Sequence, residues 1–369
     1  MYFDSAATTL QKPPQVGQAM FKALRQCASV GRSGHRAAME AAETVFRCRQ
    51  AAARLFDAEA EQVVFTMNAT HGINLALRSL CRSGMRVVCS GFEHNAVYRS
   101  LRALGVELRI VGRSLFDPTV CLREFAEAIS DGAELVVCNC CSNVFGYILP
   151  TDGIASLCRR YGVPLVLDAS QGAGTLPVSL RNSGAAFIAM PGHKGLYGPQ
   201  GTGILLCAKG GEPLLYGGTG GNSLSPDMPD FLPDRLEAGT HNVCGIAGLL
   251  EGIRFVEQRR PERILHYEKQ LLTEAVQGLS RVEGVRLYTG AEQTGVLSLT
   301  VDGWDCEELA QALTQRNVAV RAGLHCAPLA HESAGTLPSG TLRLSFSAFN
   351  TRQEVRRMVE ICKKVFIKV

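Results

Sequence analysis

Long apolar runs, blocks of like charge and paired zinc-ribbon cysteine motifs are all missing from these 369 residues. No stretch approaches the length of a membrane span, and the opening MYFDSAATTL lacks the basic start and apolar segment of a signal peptide. A cytoplasmic protein without membrane contact is therefore expected. The formal charge of +4 is dispersed, with nothing longer than the Arg259, Arg260 and Lys363, Lys364 pairs, which argues against a nucleic-acid partner. Internal repeats, low-complexity tracts and flexible linkers are absent too.

Cysteine is abundant, but not in a pattern that implies disulfides. The 14 cysteines are scattered through apolar stretches such as VVCS, VVCNCC and ILLC, and most are expected to be small buried hydrophobes. Cys138 and Cys140 share one face of a strand, yet no His or further Cys stands ready to complete a metal site, so no metal is expected. With 46% hydrophobic and 20% charged residues the chain is ordinary for a globular protein, and its length exceeds one comfortable core.

From Gln15 to about Lys209, helix-like segments (MEAAETVFRCRQAAARLF, CLREFAEAIS, TDGIASLCRRYG) alternate with short apolar strands (RVVCS, ELVVCNC, VPLVLDAS, AAFIAM, TGILLCA). Strands this apolar, separated by helices, predict an α/β domain with a mainly parallel sheet covered on both sides. Residues 211–240 are rich in Gly, Pro and Asp and read as a long ordered loop at a functional site or an interface. Helical sequence then runs from Cys244 to about Leu279, with Pro261 as a kink or a new first turn. VLSLTV, CEELAQALTQRN and TLRLSFS follow, and predict a smaller α+β domain. The boundaries expected are 15–245 for the large domain, with 1–14 and 246–369 forming the small one.

Lys194 follows a buried strand inside the Gly- and Pro-rich turn PGHKGLYGPQG. An amine so placed can condense with an aldehyde as a Schiff base, although a lysine in such a turn is more often a solvated surface charge. Upstream, LDASQGAG ends a strand on Asp168. A carboxylate there can keep a pyridine nitrogen protonated, which makes pyridoxal 5'-phosphate an electron sink; a helix cap is the other reading. Together with FDSAATTLQKP, GRSGHR, EHNAV, CSNVFG, EAGTHN, RAGLHCAP and LRLSFSAFNT, these motifs stand in the order found in class V aminotransferases. The chain resembles, in particular, their SufS-type (group II) cysteine desulfurases, nearly end to end.

The resemblance implies the aspartate aminotransferase-like fold, the cofactor pyridoxal 5'-phosphate and a set of roles. Lys194 would carry the cofactor, opposite Asp168. His94 would stack on its ring and relay a proton, though a lone His after a strand is often structural. Asn143 and Gln171 would hydrogen-bond its phenolic oxygen. The phosphate would lie near Ala69 and Thr70, at the N-terminus of a helix starting around His71, with His193 as a side-chain donor. Thr240 would reach that phosphate from the partner subunit of a homodimer, unless it is a plain loop hydroxyl.

Arg343 would clamp the substrate carboxylate, its alternative being a surface ion pair, with Arg321 as a second contact and Asn143 also in the substrate-binding set. Leu342 and Leu344 should face away from it. Cys326, in a loop of Gly, His and Pro, reads either as a structural residue or as an exposed, mobile nucleophile. Its match to the family's catalytic cysteine implies attack on the sulfur of L-cysteine, leaving a Cys326 persulfide and releasing L-alanine, with the sulfur passed to an unidentified protein acceptor. His94 and His325 would assist proton movement. Two departures stand out: Pro191 where relatives carry Ser before GHK, and Ala69 in place of the first Thr of a Thr-Thr phosphate turn. Both remove a hydroxyl, so weaker cofactor retention is expected. Alternatives are a selenocysteine lyase acting on L-selenocysteine, or a class V transaminase or C–S lyase for which Cys326 is dispensable. A non-enzymatic dimeric partner is disfavoured by the complete set of Lys194, Asp168, Arg343 and Cys326.

Overall fold

The computed structural model describes residues 1–31, 33–221 and 224–366. Arg32 of the GRSGHR motif and Asn222 and Ser223 of the long loop lie outside the described residues. Two sheets organise the rest. The larger has seven strands, β1 (Val63–Thr66), β2 (Arg86–Ser90), β3 (Glu107–Val111), β4 (Leu135–Asn139), β5 (Leu165–Asp168), β6 (Phe187–Pro191) and β7 (Gly203–Cys207). Their spatial order is β1-β7-β6-β5-β4-β2-β3. Pairings among β2 to β6 are parallel, and β7 runs against both of its neighbours. Every residue of β4, β5, β6 and β7 is buried, which is why their sequences do not alternate and are apolar but for Asn139 and Asp168 at the ends of β4 and β5.

Helices α1 (Pro14–Gln26), α2 (Arg36–Leu55), α3 (Ala69–Leu80), α4 (Asn95–Ala103), α5 (Pro118–Ser130), α6 (Thr151–Tyr161), α7 (Leu180–Ser183) and α8 (Val243–Arg259) surround this sheet. One face packs on α2, α5, α6 and α8, through Val45, Phe125, Ile154 and Leu249; the other packs on α3 and α4, through Ile73 and Leu101. Local chemistry marks the helix ends. Asp117 caps α5, accepting from the Val120 N–H at 2.9 Å ahead of Pro118, and Gly162 closes α6 with φ +67°.

The smaller sheet, β8 (Val285–Tyr288), β9 (Val296–Val301), β10 (Arg321–Gly323) and β11 (Thr341–Ser345), is antiparallel in the order β10-β11-β9-β8. Helices α9 (Pro261–Leu279), α10 (Cys306–Thr314), α11 (Pro328–Ala334) and α12 (Arg352–Phe366) belong to this half of the chain, and α9, α10 and α12 share a second core with the sheet, which also takes in Phe3. Pro261 opens α9 and does not kink a continuous helix: Arg260 stands between α8 and α9 with φ +68°.

The long loop is anchored in the larger core by its far end. Glu237 forms a buried two-pronged ion pair with Arg49, at 2.8 Å on each prong, and accepts from the Phe65 N–H and from His241. Burial alone would raise the Glu237 pKa; the Arg49 guanidinium and His241 outweigh it, and the net shift is downward.

Candidate active site

The residues following β2, β4, β5 and β6 come out at the same, C-terminal edge of the large sheet, where ligands bind in open α/β sheets. They are His94, Asn143, Asp168 and Lys194, and they line one cleft of about 230 Å³ with Ala69, Thr70, Gln171, His193, Arg321 and Arg343. Ten residues dispersed over 275 positions of sequence are thus brought to one place.

Two glycines set the lysine turn against the aspartate turn. A Cβ on Gly174 would lie 2.1 Å from the Gly195 carbonyl oxygen, and a Cβ on Gly195 2.3 Å from that of Ala173. Backbone therefore packs on backbone between LDASQGAG and GHKG, and any side chain would push the turns apart. Asp168 is buried and accepts from the Ser170 N–H at 2.8 Å; no helix starts there, so it is not a helix cap. Lys194 is half-buried and lines the cleft. Burial lowers its pKa to about 8, opposed by the charge of Asp168 and reinforced by Arg343 and Arg321. The surface-lysine reading is thereby overturned: this amine is held near the point where its neutral form is populated at physiological pH.

His94 caps α4, its Nδ1 accepting from the Ala96 N–H at 3.0 Å. That bond leaves Nε2 as the protonated nitrogen of a neutral ring, and burial and the nearby Lys194 lower its pKa to about 4. His193 is also pushed down to about 4, by burial and by Lys194 and Lys12, with its Nδ1 3.0 Å from the Thr8 hydroxyl. Helix α3 begins at Ala69, two residues earlier than its sequence suggested, because Asn68 takes the cap position and accepts from the His71 N–H at 2.9 Å. The first-turn N–H groups of Ala69 and Thr70 therefore face the cleft end, ahead of the first bond closing back to Asn68. The Gln171 amide donates to the Ala6 carbonyl at 3.0 Å, and that of Asn143 to the His325 carbonyl at 2.7 Å. One amide hydrogen of each is thus committed within the protein, leaving the other for a ligand.

Arg343 is 1% exposed, so it is no surface ion pair. Leu342 and Leu344 point away from it into the second core, as the strand alternation requires. Its Nη2 donates to Asp4 at 2.7 Å and its Nη1 to the Asn143 carbonyl at 2.8 Å, while the buried Nε has no protein partner. Asp4 was not foreseen. Its only sequence signal is its place in the FDSAATT motif, and the ion pair spans nearly the whole chain. Arg321 lies directly across the ladder from Arg343, so two like charges face the same cleft, an arrangement that favours an anion between them.

Cys326 is the exposed cysteine among the 14; ten others are buried and three half-buried. Its sulfur lies 3.7 Å from the Arg321 guanidinium. The surrounding loop is short and tethered: His325 and Cys326 have φ of +48° and +57°, and the Asn95 N–H holds the Cys326 carbonyl at 2.8 Å. His325 is buried, donates from Nε2 to the Thr341 carbonyl at 3.1 Å, and is pushed down to about 2 by burial and the two arginines with His331. It is held as a neutral ring. Thr240 does not reach this cleft within one chain; it lines a separate depression with Met67, His71 and Leu215.

Among the described residues no group of three or more His, Cys, Asp or Glu is placed to hold a metal ion, and no helix is long and apolar enough to cross a membrane. The groups that await a ligand match a phosphorylated pyridine aldehyde: a half-buried amine of lowered pKa, a buried carboxylate on the adjoining strand, and a helix N-terminus at the end of the cleft.

A seven-stranded, mainly parallel sheet with a small antiparallel domain and a lysine at the crevice is the aspartate aminotransferase-like fold. The aminotransferase class-V family model matches residues 1–358, and the chain belongs to that family. A protein of Methanothermobacter thermautotrophicus named probable cysteine desulfurase is 30% identical, covering 99% of this chain and 94% of the relative. Probable cysteine desulfurase 1 of Mycobacterium leprae is 28% identical over 99% of this chain, which spans 62% of that longer protein. The solved apo structure of the cysteine desulfurase of Thermococcus onnurineus NA1 superposes with a TM-score of 0.90 at 30% identity, covering 99% and 94% of the two chains.

Proposed function

We propose that this protein is a pyridoxal 5'-phosphate-dependent cysteine desulfurase, converting L-cysteine to L-alanine and leaving the sulfur as a persulfide on Cys326. The observation that carries the reading is the meeting, at one cleft, of a half-buried lysine of lowered pKa, a buried aspartate and an arginine pair, with an exposed cysteine touching the outer arginine. When bound, the cofactor supplies an electron sink for the pair left on the substrate's α-carbon.

This chain's own groups do the rest. Lys194 holds the cofactor aldehyde and then, as a free amine, takes the substrate α-proton; its lowered pKa suits both tasks. Asp168 keeps the pyridine nitrogen protonated. Neutral His94 would be the residue to hold the ring, its Nε2–H the available donor. The N–H groups of Ala69 and Thr70, with His193 and Thr240 of the partner subunit, receive the phosphate in a homodimer. Arg343 presents its unpartnered Nε edge to the substrate carboxylate, with Arg321 from the facing strand. Cys326, as thiolate, attacks the substrate's Sγ. The S–S bond forms as the C–S bond breaks, the carbon keeps the electron pair and takes a proton, and alanine leaves. The terminal sulfur is then passed to an acceptor thiol.

Purified protein incubated with L-cysteine, or in parallel with L-selenocysteine, should release alanine, and mass spectrometry should find the extra sulfur on Cys326. Cys326→Ala should release at least a hundredfold less alanine from cysteine. Unchanged output from that variant would remove the cysteine from the mechanism.

A further inference from the structure

Asn143 touches three parts of the site at once, and the family motif around it accounts for none of these contacts in the sequence. Its side chain, 7% exposed, donates from Nδ2 to the His325 carbonyl at 2.7 Å. Its own carbonyl accepts from Arg343 Nη1 at 2.8 Å. Its Oδ1 is buried in the cleft wall with no protein donor. A carbonyl can only accept, so the His325 contact fixes which end of the carboxamide is nitrogen, and the oxygen is left, with the second N–H, for a ligand.

The held turn is one that needs holding. His325 and Cys326 are consecutive non-glycine residues in the left-handed region, at φ +48° and +57°, a conformation side-chain-bearing residues adopt only where the surroundings impose it. Two hydrogen bonds reach across from the large sheet to impose it. The Asn95 N–H, beside His94, takes the Cys326 carbonyl, and Asn143 takes the His325 carbonyl. Of the two, only Asn143 acts through a side chain.

We infer that Asn143 is the positioning residue for Cys326: its carboxamide nitrogen pins the left-handed His325–Cys326 turn while its oxygen faces the cleft, so the sulfur-accepting thiol and the substrate site are held in one register. The unpaired oxygen calls for an N–H donor, which the substrate's amino nitrogen provides. The inference rests on Cys326 being the nucleophile and deepens that reading.

Asn143→Asp keeps the size and an oxygen toward the cleft but removes both N–H groups, the donor to His325 included, so exchange at the turn, measured without substrate, separates this role from a contact to the ligand alone. In the full-length protein as purified, hydrogen exchange at the Asn95 and Ala327 amides should be at least tenfold faster in Asn143→Asp and in Asn143→Ala than in the wild type. In a single turnover with L-cysteine, the Cys326 persulfide should form at least tenfold more slowly in Asn143→Asp, with the bound cofactor's absorbance band retained. Wild-type exchange rates, or wild-type persulfide formation, in the folded Asp variant would overturn the inference. A wild-type protein that makes no persulfide would instead overturn the function proposed above, and the exchange measurement would still decide whether Asn143 pins the turn.

Discussion

Cys138, Cys140 and Cys141, at the end of β4, carry the same thiol as Cys326 in opposite surroundings. All three are enclosed in the large sheet, where burial pushes each thiol up, to about 12 for Cys141 and further for the other two. Cys326 stands exposed on a left-handed turn with a guanidinium at 3.7 Å. A thiolate buried without a cation would carry the full cost of lost hydration; one at the cleft mouth is solvated and faces positive charge. Sulfur chemistry in this molecule is therefore decided by tertiary environment. The abundance of cysteine decides nothing.

The same contrast extends to other ionisable groups. Glu268, on α9, is buried with burial as the sole cause of its shift, and its pKa rises to about 8. Lys194 is half-buried in the cleft; desolvation lowers its pKa, Asp168 partly offsets the cost, and the amine is left at about 8.

The largest effect that would break the comparison concerns reactivity. With iodoacetamide under native conditions, Cys326 should be alkylated at least a hundredfold faster than Cys138, Cys140 or Cys141, as followed by peptide mass spectrometry; comparable rates would mean that the strand thiols are accessible after all. Next, cofactor-free protein mixed with pyridoxal 5'-phosphate and trapped with borohydride should label Lys194 with a yield that rises through a midpoint of about 8, since only the neutral amine condenses. A midpoint near that of a free lysine would place this amine in water.

Stability should show the opposite dependence between the two regions. Replacing Cys138 by Ser buries a hydroxyl in the sheet and should cost about 1–3 kcal/mol in denaturant unfolding, whereas Cys326→Ser should change stability by less than about 0.5 kcal/mol. For Glu268 the native pKa lies above the unfolded one. Its contribution is therefore complete below pH 4.5 and is lost as pH rises toward about 8. Glu268→Gln should consequently raise the melting temperature by a few degrees at pH 8.5 and leave it unchanged at pH 4. The smallest effect is expected at Pro191, which ends β6 in the cleft wall without a hydroxyl or an N–H. Pro191→Ser should slow cofactor loss during dialysis by a few-fold.

Much of this was legible in the sequence because it depends on local pattern. Apolar runs between helices are enough to identify the parallel sheet, and Lys194 and Asp168 stand as candidates at strand ends, each by itself open to a surface-charge or helix-cap reading. The motif order adds His94, Gln171 and Arg343. What could not be read is of another kind. Asp4 and Arg343 are 339 residues apart in the chain, and nothing in FDSAATT says that its carboxylate will meet a guanidinium from β11. The start of α3 is displaced by the Asn68 cap, and the tether from Asn143 to His325 crosses 182 positions.

The sequence by itself determined the periodicities, the strand-end chemistry and the supply of residue types, because these follow from covalent order and side-chain character. Only the tertiary structure decided which donors were already spent and which were left for a ligand. It also decided which of the 14 thiols met water and an arginine. Desolvation and pairing are properties of three-dimensional neighbourhood, and they are what set the lysine of lowered pKa and the exposed cysteine apart from the other residues of their kinds.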